Sequence, residues 1–167
     1  MTPLQIIFLL TGAVILIAAI MVVAARNLVH AALWLIVSLF GVAVLFVLLE
    51  AGFLAAVQVV LYIGAIAILI IFAIMLTRRV MQDAGPQTNQ QWWLSALIAA
   101  ALFGVLIWAF SQVAYPLANA PVPDNSLVML GSSFVDPNQY ALPFEVASVL
   151  LLVALVGSIV IAGEKGK

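Results

Sequence analysis

The side chains best placed for chemistry stand in one apolar stretch, Leu54–Thr77, reading LAAVQVVLYIGAIAILIIFAIMLT. Gln58 and Tyr62 lie four residues apart there, and Gly64 follows two residues later. On an α-helix a four-residue spacing puts both side chains on one face. At ~1.5 Å per residue Gly64 lies roughly 15 Å along the stretch, near the middle of a hydrocarbon layer about 30 Å thick. Hydrocarbon offers an amide or a phenol no partner, so these groups must face protein or water. Gln58 could bridge helices or hold water. Tyr62 has a hydroxyl able to join a proton-conducting hydrogen-bond chain. Gly64 weakens the helix by ~1 kcal/mol relative to alanine and leaves carbonyls open to other partners. Irregularities of the π-bulge kind occur often at functional sites. Spacing alone equally allows a plain reading, with Gly64 a packing notch and Tyr62 a satisfied structural hydroxyl.

Two carboxylates are accessory candidates. Glu50 ends an apolar run in the short turn Glu50-Ala51-Gly52-Phe53, where an interfacial, solvated carboxylate is the plain alternative. Glu145 follows Pro143 and is expected in the first turn of the last helix, where proline and a carboxylate are ordinary start signals. The sharper reading of Glu145 is a proton exit or a subunit contact. Arg26, Asn27 and His30 cluster between two apolar runs, as interfacial anchors or as a titrating group. No nucleophile–base pair, phosphate loop or dinucleotide fingerprint is present, so no catalytic centre is expected on this chain.

The elements that carry these residues are set by composition. Hydrophobic residues make up 68% of the 167 positions and charged residues 7%. A soluble domain carries about 25% charge, so the chain is an integral membrane protein. A net charge of −1 leaves no basic surface for nucleic acid. The absence of cysteine excludes disulfides and thiolate ligation of iron–sulfur clusters, and the single His30 with scattered carboxylates shows no metal spacing.

Five runs reach spanning length, giving an all-α fold in a single membrane domain over 1–167. They cover about 3–25, 27–49, 54–77, 92–115 and 143–162. The first is read as a retained span, since Met1-Thr2-Pro3 lacks a basic start and the run is too long for a signal segment. The segment 116–142 holds four of the seven prolines with Asp124 and Asp136, and is expected to be an irregular outer loop. Arg26, Arg78, Arg79, Lys165 and Lys167 all fall on one side of this arrangement. The positive-inside rule makes that side cytoplasmic, with the N-terminus outside and the C-terminus inside. Trp92 and Trp93 fit an interfacial aromatic belt. Gly64, Ala65, Ala67 and Ala73 offer close approach to neighbouring helices.

The stretch from Phe53 through Gln58, Tyr62, Gly64, Ala65 and Ile66, continuing to Phe72-Ala73-Ile74-Met75-Leu76, resembles the third span of the J subunit of bacterial NADH:quinone oxidoreductase, respiratory complex I. Arg26-Asn27-Leu28-Val29-His30-Ala31-Ala32-Leu33 resembles that family's first inner loop, and Leu142-Pro143-Phe144-Glu145-Val146-Ala147-Ser148-Val149-Leu150-Leu151 its last span. The resemblance implies a membrane-arm subunit without a redox cofactor of its own. FMN, iron–sulfur clusters and quinone would sit on other subunits. It further implies a π-bulge around Tyr62 and Gly64, whose conversion to regular helix opens and closes a water path between the quinone cavity and the carboxylates of the small K-type subunit. Gln58 stands where some members carry glutamate, and would serve by hydrogen bonding. The implied partners are the K-type, H-type, A-type and N-type membrane subunits and the lipid bilayer, in a bacterial cytoplasmic membrane. Two other classes stay open on the residues alone: a purely structural packing subunit, and a self-contained small channel or transporter.

Overall fold

A computed structural model of the chain describes residues 2–77, 91–113, 123 and 125–163. Arg78, Arg79, Asp124, Lys165 and Lys167, on which much of the charge asymmetry rests, lie outside the described residues. Five helices are long and apolar enough to cross a membrane, and every regular element among the described residues is helical. The elements are α1 (Pro3–Ala24), α2 (Leu28–Leu48), α3 (Gly52–Val57), a π-helix (Gln58–Ala67), α4 (Ile68–Leu76), α5 (Trp92–Gln112), α6 (Ser126–Val135) and α7 (Ala141–Gly163). α3, the π-helix and α4 form one continuous rod, Gly52–Leu76.

Local signals explain the helix ends. Thr2 and Gln5 close a reciprocal capping box at the start of α1, with Pro3 in the first turn. Asn27 caps α2 by accepting from the backbone N–H of Val29 at 2.9 Å. α2 ends in a tight turn. Glu50 adopts a left-handed backbone with φ of 59°, its N–H donates to the Val47 carbonyl, and the Ala51 N–H donates to the Phe46 carbonyl. These two bonds are the Schellman pattern, which satisfies carbonyls that the helix end leaves open. Glycine usually fills the left-handed position; here a glutamate does.

The turn makes α2 and the rod an antiparallel hairpin, and α1 packs on the other flank of α2. Small residues hold the seams: Ala18 on α1, Ala32, Gly41 and Ala43 on α2, Ala55 on α3 and Ala67 in the π-helix are all buried. Small side chains let backbones approach closely, which supplies dispersion where lipid gives no hydrophobic drive. Most large apolar side chains of α1 and the rod point outward, and α5 has no buried residue. Such helices need lipid or other apolar helices around them.

In the C-terminal part, α6 and α7 are joined by a knit corner. Asp136 accepts from the Asn138 N–H at 2.9 Å and from the Gln139 amide at 2.8 Å, the Tyr140 N–H donates to the Ser133 carbonyl, and Phe134 stacks on Phe144 with ring centroids 5.5 Å apart. This corrects the expectation of an irregular loop throughout 116–142. The proline-free stretch between Pro123 and Pro137 is free to be helical, and does so as α6. α7 begins at Ala141, so Glu145 is its fifth residue and lies past the first turn, where the helix dipole has faded.

Candidate functional site

The candidate site is the middle of the rod. Ten consecutive residues, Gln58–Ala67, are π-helical, longer than the single-turn bulges in which this geometry mostly occurs. The backbone stays helical at both ends, with φ/ψ of −59°/−43° at Val57 and −62°/−44° at Ile68. The rod therefore widens without breaking. Wider turns bond each N–H to the carbonyl five residues earlier, instead of four. Gly64 shows the consequence: a Cβ placed on it would stand 3.4 Å from the Val59 carbonyl oxygen, its neighbour five residues back. That is ordinary contact, so a methyl group fits here.

Gln58 and Tyr62 differ in burial. Gln58 is 7% exposed, the one buried polar residue among those described, and Tyr62 is 46% exposed. A π-turn closes in a little more than four residues, so Tyr62 still lies near the face of Gln58, but its side chain is half exposed. Gln58 faces α2 and donates from Nε2 to the Leu39 carbonyl oxygen at 3.4 Å. Among the described residues, no hydrogen bond holds the Tyr62 hydroxyl, which leaves it available to water or to another chain. Of the small residues Gly64, Ala65, Ala67 and Ala73, only Ala67 is buried within the chain. Gly64 thus sits on an outward face of the rod.

Glu50 and Glu145 are exposed and lie on different elements, outside the π-helix. His30 is likewise exposed, in the first turn of α2. No group of metal-ligating side chains occurs among the described residues. What the site can do is conformational: it can hold a polar residue against α2, present a hydroxyl outward, and store a register that differs from a regular helix. The Leu39 carbonyl, a key member, is backbone and carries no signature in the sequence. The contact of Gly41 with Ile15 could have been suspected from a glycine inside an apolar span, although nothing in the sequence names its partner.

The family model for NADH-ubiquinone/plastoquinone oxidoreductase chain 6 matches residues 18–161. F(420)H(2) dehydrogenase subunit J of Methanosarcina mazei is 37% identical over 162 residues, which are 96% of this chain and 91% of that protein. NAD(P)H-quinone oxidoreductase chain 6 of Leptolyngbya boryana is 36% identical over 158 residues, covering 93% of this chain and 77% of its own. NADH-quinone oxidoreductase subunit J of Rhodobacter capsulatus is 33% identical over 168 residues, covering 96% and 82%. The matched region runs from α1 to α7 and contains Glu50, Gln58, Tyr62, Gly64 and Glu145. The chain, with five apolar helices among its described residues, belongs to the chain 6, or subunit J, family of membrane subunits of NADH-quinone oxidoreductase, complex I.

Proposed function

We propose that the rod Gly52–Leu76 gates a water path that couples quinone reduction to proton translocation, while the chain itself transfers no electrons. The observation that supports this most is the π-helix at Gln58–Ala67, in the middle of a membrane-spanning rod. A wide segment flanked by regular helix has a natural alternative state, the uninterrupted α-helix. Two states separated by a few kcal/mol can be biased by events elsewhere in the complex. In this reading Tyr62 brings its hydroxyl to the water chain, Gly64 lowers the cost of rearranging carbonyls, and Gln58 acts by hydrogen bonding. Glu50 and Glu145 are accessory at most, since neither belongs to the segment Gln58–Ala67.

The partners in this reading are the K-type, H-type, A-type and N-type membrane subunits, with FMN, iron–sulfur clusters and quinone held elsewhere in the complex. The relatives are named for F(420)H(2), NAD(P)H and NADH as donors at closely similar identities. The match therefore reflects a membrane function common to complexes with different donors. The chain lies in a bacterial cytoplasmic membrane, N-terminus outside and C-terminus inside, in keeping with the charge bias and with Arg26 exposed in the α1–α2 link.

Two variants test the gate. Gly64→Val adds a β-branched side chain that crowds a neighbour and disfavours one backbone state. The expected complex assembles and passes electrons from donor to an artificial acceptor, but loses quinone-linked turnover or pumping. Tyr62→Phe deletes only a hydroxyl and should give a milder loss. Wild-type rate and proton stoichiometry in both variants would reduce the rod to packing.

A further inference from the structure

We infer that the groove between the start of α1 and the end of α2 seats a phospholipid with a primary ammonium headgroup, phosphatidylethanolamine, whose ammonium pairs with Glu50. The inference stands apart from the gating reading, since the groove and the π-helix share no residue.

Leu4, Gln5, Phe8, Leu48 and Leu49 line an open groove of about 220 Å³. Leu4 and Phe8 are four residues apart and share one face of α1. Leu4, Phe8 and Leu49 are each more than half exposed, so the groove offers apolar surface to whatever surrounds the chain. α1 has 22 residues and is ~33 Å long. That length matches a hydrocarbon layer about 30 Å thick, so Thr2 and Glu50 stand at headgroup level, with the groove just beneath them. Its volume is below the ~300 Å³ of the smaller pockets that take a whole ligand, and suits the upper part of one acyl chain.

The rim selects the headgroup. Gln5 Oε1 accepts from the Thr2 N–H at 2.9 Å, which orients the amide, and among the described residues its Nε2 has no partner. That donor suits a phosphate or ester oxygen. Glu50 directly follows Leu49, is exposed, and its carboxylate has no hydrogen-bond or ion-pair partner among the described residues. Its φ of 59° is a conformation that glycine adopts without steric cost, so turn geometry does not explain a glutamate there. Strained positions of this kind cluster at functional sites. No lysine, arginine or histidine occurs in 2–8 or 48–53. A donor and an anion at one rim therefore complement a phosphate followed by an ammonium. A primary ammonium gives Glu50 charge-assisted hydrogen bonds, whereas a choline group has no N–H to donate. A phosphatidylglycerol headgroup brings no cation and meets Glu50 as a like charge.

The test uses the assembled complex in bilayers of equal parts phosphatidylethanolamine, phosphatidylcholine and phosphatidylglycerol. One of the three at a time carries a photoreactive diazirine on the upper methylenes of an acyl chain. Crosslinks are mapped by peptide mass spectrometry and normalised to the labelling of the whole complex. The ethanolamine probe should label 4–8 and 48–49 about threefold more than the glycerol probe, a ratio within reach of one exposed ion pair, and more than the choline probe. Glu50→Gln should level the three probes, and Glu50→Lys should favour the glycerol probe. Equal labelling by all three in the unaltered chain, or an unchanged preference in Glu50→Gln, overturns the site. Absence of labelling in both stretches also overturns it, because another protein then covers the groove. If neither variant assembles, the three probes on the unaltered chain decide.

Discussion

Gly41 of α2 and Ile15 of α1 occupy adjoining space so closely that a Cβ on Gly41 would overlap the Ile15 Cγ1 and stand 3.1 Å from its Cδ1. The seam between the first two helices is thus set by the missing side chain. Gly41→Ala should loosen it by about 1–3 kcal/mol, the usual cost of overpacking. Lower thermal stability of the assembled complex would register this. Ile15→Val in the same chain removes the Cδ1 methyl and should recover part of the loss, a coupling that a double-mutant cycle measures. Equal and additive effects would mean that the two residues do not meet.

Glu50 holds a left-handed backbone that costs a side chain ~1–2 kcal/mol and costs glycine nothing. Glu50→Gly should therefore stabilise the α2–α3 turn by ~1 kcal/mol. Glu50→Val, with branching at Cβ, should destabilise it. The glycine variant also tests the carboxylate cleanly. If turnover falls while thermal stability rises, the carboxylate has a role; if turnover holds, Glu50 is only a turn residue.

The corner between α6 and α7 should open when Phe134 is truncated. Phe134→Ala removes a stacked pair worth ~0.5–1.5 kcal/mol beyond its buried area. Faster amide exchange across Ser126–Val135, with α7 unchanged, is the expected readout. Asp136→Ala should act in the same direction by removing the acceptor of the Asn138 and Gln139 bonds.

The five spans were legible because long apolar runs leave few alternatives in a chain with 7% charge. That Gln58, Tyr62 and Gly64 interrupt one of those runs was legible too. What composition could not reveal was register. A four-residue spacing keeps Gln58 and Tyr62 near one face in either kind of helix, but it does not say that the first is buried and the second half exposed, or that the segment is π-helical. Helix α6 was hidden by its surroundings, because the prolines on either side of Ser126–Val135 read as a loop while the stretch between them is free of proline. The partner of Gln58 is a backbone carbonyl, and every residue has one.

Orientation can be read chemically on the first hairpin. Single cysteines at Thr2, Arg26 and Glu50, all exposed, place three successive helix ends. An impermeant thiol reagent should label Thr2→Cys and Glu50→Cys from the outer side and Arg26→Cys only from the inner side. Outer labelling of Arg26→Cys would invert the topology.

The central claim is that the rod has two backbone states around Gln58–Ala67. Imaging of the whole complex by electron cryo-microscopy, at rest and frozen during quinone-linked turnover, tests it most directly. The account predicts two populations, one with the π-helix and one with regular α-helix between Gln58 and Ala67, in proportions that change with turnover. A π-helix of the same register in every particle class under both conditions would contradict it.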